Sequence, residues 1–207
     1  MNPSTQALAD SISRGVREAM QGAAEHGVGT EHAALTVERA PLPIAPARLA
    51  SAHLGHSRAR EQARDLYERC LLRYRELADA QGTPGHVDDA GAAVARFVAA
   101  NLEALHGLHA TPEMLKQLEH QLGGVARRSS EWGRASVRDR QFYVEQMAIL
   151  AVLIGESSAQ AVLQGPAALA NIRRAARSYL KQLLGLDPDQ LTLGPGGLSL
   201  RCANQPA

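Results

Sequence analysis

"SVRDRQFYVEQMAILAVLIG", residues 136–155, decides the fold class. Ser136 followed three positions later by Asp139 approximates a capping box, the local signal that starts a helix by satisfying its first free N–H groups. From Phe142 to Ile154 the segment is then apolar nearly all round. A helix with that pattern must be enclosed on several sides, so it belongs at the centre of a helical bundle.

The flanking segments supply the enclosure. Downstream, Gly165-Pro166 opens a further helix with Leu169, Ile172, Ala176, Tyr179, Leu180 and Leu183 inward. Gly185 ends it, and Leu186 is placed to fold back on the last turn as in a Schellman cap. Upstream, Thr111 and Pro112 form a strong start signal for "TPEMLKQLEHQL". Before that, Asp88 or Asp89 can cap a helix carrying Val94, Phe97, Val98, Leu102 and Leu105 that stops at Gly107. Residues 58–80 place Ala63, Leu66, Tyr67, Cys70, Leu71, Tyr74 and Leu77 on one face, and "QGTPG" at 81–85 ends that helix.

The predicted architecture is all-α: a single-domain bundle of about five helices over residues 57–186. An N-terminal amphipathic helix (1–25) precedes it, carrying Leu8, Ile12, Val16, Ala19, Met20 and Ala23 at a period near four. Between them lies a Pro/Gly-rich linker (26–56), or an extended arm lying on the domain surface, in which Pro41, Pro43 and Pro46 exclude helix and a central strand. Residues 187–207 form a short hooked or hairpin-like tail. There "LTL-GPGG-LSL" reads as two alternating segments about a turn. The "GPGG" is not a phosphate loop: a helix precedes it, no Lys-Ser/Thr pair follows, and the chain runs only a few residues further.

Composition fits this picture. Of 207 residues 45% are hydrophobic and 21% charged, but only 3% are aromatic, so the core is built from Ala, Leu, Val and Ile. The net charge of +1 gives no bulk attraction to nucleic acid or an acidic membrane. No uninterrupted apolar run approaches the roughly 20 residues of a membrane span. The N-terminus has neither the basic start nor the apolar stretch of a signal peptide. The reading is therefore cytoplasmic, or periplasmic or secreted if the chain is a processed form.

Three stretches, "DDAGAAVARFVAANLEALHG" (88–107), "DRQFYVEQMAILAVLIG" (139–155) and "ARSYLKQLLGLDPDQLTLGPGGL" (176–198), resemble an uncharacterised family of small α-helical bacterial proteins. The resemblance covers roughly residues 60–200. Its most specific part is the closing "G-L/M-D-x-x-x-L-x-L-T-x-x-G-F/L", from which this chain departs at "LGPGG". The resemblance implies a helical fold and, because such proteins usually carry a cleaved secretion signal, the bacterial envelope. It implies no activity and no functional residue.

Candidate chemistry is thin. His53/His56 and His106/His109 are H-x-x-H pairs, short of the four ligands a structural zinc takes. Gly107 inside the second pair breaks the helical spacing. Asp88 and Asp89 are adjacent and point about a hundred degrees apart on a helix, which suits capping better than paired acid–base work. Cys70 and Cys202 have no metal-ligand spacing, and the sequence leaves open whether they are bonded. The serines sit in no G-x-S-x-G context. No catalytic, cofactor-binding or metal-ligating residue is assigned.

One feature points outward. Arg173, Arg177 and Lys181 form an i, i+4, i+8 row, and Arg127, Arg128, Arg134, Arg138 and Arg140 cluster around the preceding loop and helix start. If they meet, they make a partner-binding basic patch. Helix-dipole complementation and simple solvation also account for them. Near-neutral charge and a lack of interleaved aromatics argue against nucleic acid. The expected function is a non-enzymatic protein-interaction module of the inhibitor, immunity or secretion-accessory kind, without a cofactor, whose N-terminal helix could also join two copies. The alternatives are a secreted effector or enzyme with a site of scattered His, Asp and Arg, and nucleic-acid binding through the arginines.

Overall fold

The computed structural model describes residues 6–7, 10–16, 35–38, 40–52, 55–81, 83 and 87–201. Residues 17–34, His53, His86 and Cys202 lie outside the described residues, and with them most of the linker's first half and the cysteine pairing. Residues 10–16 are helical (α1). Then follow α2 (Ala45–Ser51), α3 (Ser57–Ala80), α4 (Ala90–His106), α5 (Pro112–Arg128), α6 (Ser130–Arg134), α7 (Val137–Gln164) and α8 (Pro166–Leu184). A short 3-10 turn, Pro188–Gln190, leads into an antiparallel hairpin of β1 (Leu191–Gly194) and β2 (Gly197–Leu200). Among the described residues the fold is all-α apart from that hairpin, and α3, α4, α5, α7 and α8 are the five long helices.

The helices start and stop where local chemistry directs. Asp89 accepts from the Ala92 amide at 3.0 Å, and Thr111 from the Met114 amide at 3.3 Å. Ser136 accepts from the Asp139 amide at 3.1 Å while donating to the Asp139 carboxylate at 2.8 Å. Gly107 and Gly185 close α4 and α8 in the left-handed conformation.

The centre is a pair rather than α7 alone. Of the 17 residues of α4, 13 are buried, against 12 of 28 in α7. The Ala-rich surface of α4 lets α5, α7 and α8 all pack on it. Leu102, Leu118, Ile149, Leu180 and Leu184 are fully enclosed there. Burying each such side chain contributes about 1.5–3 kcal/mol. Gly91 and Gly123 mark a close approach of α4 to α5: a Cβ on Gly91 would stand 3.1 Å from the Gly123 Cα and 3.1 Å from the Glu119 carbonyl oxygen.

Pro46 does not prevent a helix in 26–56; it occupies the first turn of α2, where a missing N–H costs nothing. Of the two readings of that segment, its described part follows the arm lying on the domain. Leu35, Val37 and Ala45 are buried, Thr36 bridges to Asp89, and the Val37 amide donates to the Asp88 carbonyl at 2.9 Å. At the N-terminus, Ile12 and Val16 of α1 are buried in the chain's own core. Ser13 donates to the Leu183 carbonyl, and Ser11 hydrogen-bonds Ser129 and Glu131 at 2.8 Å each. Serines of α1 thus tie it to α6 and α8 of its own chain. Tyr179, placed inward above, is 38% exposed and meets Phe97 edge-on from the rim.

Among the described residues, α7 alone is long and apolar enough by length and composition to cross a membrane. The uninterrupted-run criterion missed it because polar residues punctuate the helix. Phe142, Tyr143 and Ile149 spend its apolar face on the protein interior.

Candidate functional site

The most elaborate polar construction sits where the proline-rich arm meets α7. Glu145 Oε2 accepts from the Ile44 and Ala45 amides at 2.7 Å each, which satisfies N–H groups at the start of α2. Gln141, one turn earlier on α7, donates from Nε2 to Glu145 Oε1 at 2.7 Å and accepts from the Ala40 amide through Oε1 at 3.0 Å. Both side chains are buried. A buried carboxylate is costly unless its lone pairs are met, and here three donors meet it.

What this clamp holds in place is apolar and faces out. Pro41, Leu42, Pro43 and Val137 line an open cleft of about 770 Å³. Leu42 is 76% exposed and Val137 51%. Arg138 stands on the cleft's edge. Arg48, also on that edge, is held by the Phe142 ring at 4.2 Å and by Asp139 at 3.8 Å.

The seven cations proposed from sequence do not form one surface. Arg127 and Arg128 end α5, Arg134 ends α6 and Arg138 begins α7. By helix rise, Arg138 lies about 39 Å from the α7–α8 turn and Arg173 about 10 Å beyond it, so at least about 25 Å separates them. Arg140, which the sequence placed in the same cluster, donates to the Gly133 carbonyl at 3.0 Å and lies over the Trp132 ring. On α8, Arg173 and Arg177 do come together, with Arg174, around a cleft of about 440 Å³ that also includes His106 and Asp189. There Asp189 takes Arg177 at 2.8 Å. Lys181 stands exposed outside that cleft.

The remaining reactive residues point to different partners. His106 Nε2 meets the Pro188 carbonyl at 3.2 Å, whereas His109 pairs with Glu103 at 2.8 Å. Among the described residues no three His, Cys, Asp or Glu side chains converge as a metal site. Asp89 is a cap. Burial, and after it the Glu156 carboxylate, pushes the Cys70 thiol up to about 11, which leaves it protonated and a poor nucleophile at neutral pH. On α3, Arg64 and Glu68, one turn apart, pair at 2.9 Å on a solvated face.

Comparison with known proteins settles the family. Residues 5–201 match "Family of unknown function (DUF6683)". The chain belongs to that family. The DUF6683 match extends well upstream of the 60–200 that the sequence resemblance covered, so α1 and the proline-rich arm are part of the family's own unit. No curated protein and no solved structure matches the chain.

Sequence reasoning missed Gln141, Glu145, Leu42 and Val137. The only available signal was a Gln and a Glu one turn apart inside an otherwise apolar helix.

Proposed function

We propose that this DUF6683 protein is a non-enzymatic module that binds another protein through the cleft between the proline-rich arm and the start of α7. One observation carries the reading: a buried, fully satisfied carboxylate holds a segment whose outer face displays Leu42 at 76% exposure beside Val137 at 51%. A rigid apolar surface costs little ordering entropy when a partner covers it. The occupant is an apolar segment of a second protein with a carboxylate flanking it, because Arg138 stands at the edge with no acidic partner within ion-pair distance among the described residues. An inhibitor, an immunity protein or a secretion accessory would each use such a surface stoichiometrically.

The test is affinity purification of the full chain from its native cells, with Leu42→Asp and Val137→Asp alongside. The expected result is one protein in fixed stoichiometry with the wild type, lost from both variants while their helical circular dichroism is unchanged. Retention by both variants, or no stoichiometric protein with the wild type, overturns the reading.

A further inference from the structure

Where α7 turns into α8 the chain runs without a charged residue from 157 to 172, "SSAQAVLQGPAALANI". Gly165, at φ +101°, makes the corner in a backbone conformation that side chains other than glycine rarely adopt. The outside of the corner is apolar. Leu163 is 86% exposed, the most of any large hydrophobic residue described, and Val162 beside it 63%. Across the turn, Pro166, Ala167 and Ala170 are exposed as well. A single exposed leucine is ordinary, but a projecting apolar tip with uncharged arms on both sides is not.

Charge resumes in a band behind the tip. Arg173 and Arg174 stand about 10 Å along α8 from Pro166. Helical side chains lean toward the helix N-terminus, which for α8 is the tip. Both arginines are exposed, and with Ala170, His106 and Arg177 they line the cleft of about 440 Å³. The one carboxylate lining that cleft, Asp189, is taken by Arg177 at 2.8 Å. Arg173 and Arg174 have no hydrogen-bond or ion-pair partner among the described residues. On α7 the acid nearest the corner in sequence is Glu156, and Arg73 lies 3.9 Å from it. Two spare guanidinium groups therefore stand behind a neutral tip, although the whole chain carries only +1.

We propose that the α7–α8 corner inserts into the surface of an anionic phospholipid bilayer. Leu163 and Val162 enter the acyl boundary, and headgroup phosphates occupy the cleft beside Ala170, paired with Arg173 and Arg174. The offset between tip and arginines matches the roughly 5–10 Å by which interfacial apolar groups sink below the headgroups. An apolar insert and a basic patch are also the two signals that stable attachment takes. A second copy of the chain suits the tip poorly, because two tips meeting would bring the spare arginines of both together. The corner lies about 40 Å along α7 from Val137, so either this inference or the arm–α7 reading can fail without the other.

The experiment is co-sedimentation of the full chain with vesicles of phosphatidylcholine and phosphatidylglycerol in equal parts, beside vesicles of phosphatidylcholine alone. Binding to the anionic vesicles is expected, at least tenfold tighter than to the neutral ones. Replacing both cations, Arg173→Gln with Arg174→Gln, should weaken it roughly 25-fold, about fivefold for each. Leu163→Gln should weaken it roughly tenfold. At 86% exposure that side chain holds nothing in the fold, so the variant's Tm should match that of the wild type. Leu163→Trp should bind like the wild type and shift its emission to the blue on anionic vesicles, over a constant background from the buried Trp132. No binding to anionic vesicles, equal binding to both kinds, unaltered binding by Leu163→Gln, or binding of Leu163→Trp without a shift overturns the proposal. So does a dimer in light scattering that Leu163→Gln dissolves, which would assign the tip to a second copy.

Discussion

Gln141 donates a 2.7 Å hydrogen bond to Glu145 one turn along α7, and both side chains lie inside the protein. The pair reaches 100 residues back in sequence to hold the backbone at Ile44 and Ala45. Glu145→Ala would strand those two amides and the Gln141 donor. The expected loss is about 3 kcal/mol of unfolding free energy, taking about 1 kcal/mol for each hydrogen bond lost. It should appear in urea denaturation, together with new protease cleavage between residues 40 and 52. A loss below 1 kcal/mol with an intact arm would mean that the clamp is not what holds the segment.

Gly91→Ala tests the α4–α5 approach. Alanine would gain about 1 kcal/mol in helix propensity. Its Cβ, however, would press on the Gly123 Cα and the Glu119 carbonyl, both backbone atoms, from 3.1 Å. Relieving that contact costs typically 1–3 kcal/mol. A net destabilisation of about 1 kcal/mol is expected, read as a lower urea midpoint with an unchanged slope.

Glu131 gives the protein an acid-sensitive contact with α1. The Ser11 hydroxyl first, then that of Ser130, holds its carboxyl down to about 2, from an ordinary 4.5. A lowered folded-state value means that the contact contributes fully above pH 4.5 and is lost as the pH falls through 2. Stability of wild type and Glu131→Gln should therefore differ at pH 7 and converge near pH 2. Ser11→Ala should flatten the wild-type slope across that window. Parallel curves for wild type and Glu131→Gln at all pH values would exclude the linkage.

Gln121 of α5 docks the C-terminal hairpin. Its amide donates to the Leu198 carbonyl and accepts from the Leu198 amide, both at 2.9 Å, as a neighbouring strand would. Gln121→Ala should cost about 2 kcal/mol and expose amides 191–200 to faster hydrogen exchange than those of α4. The same contact accounts for the last glycine of "GPGG". Gly197 has φ +92°, and a Cβ there would lie 2.8 Å from Gln121 Oε1.

Asp89, Gly107, Thr111, Ser136 and Gly185 were legible in the sequence because a cap is satisfied within a few residues of itself. So was the hairpin at 191–200. The grip of Glu145 on Ala45 and of Gln121 on Leu198 was not, because local pattern carries no information about partners 77 or 100 residues away. The seven-cation patch failed for a related reason: periodicity placed Arg173 and Arg177 on one face of α8, but the length of α7 separates them from Arg138. Pro46 was read as a helix breaker where its position in the first turn made it a helix starter.

The contact between Ser13 and Leu183 joins residues 170 positions apart. On a ribosome that interval takes roughly 10–30 seconds at about 5–20 residues per second. Throughout it, Ile12 and Val16 emerge and wait without the end of α8 to which Ser13 is tied. The nascent chain therefore carries an apolar strip whose cover is incomplete from the outset of synthesis almost to its completion. Whatever shields that strip in the interim governs how much of the product reaches its native form.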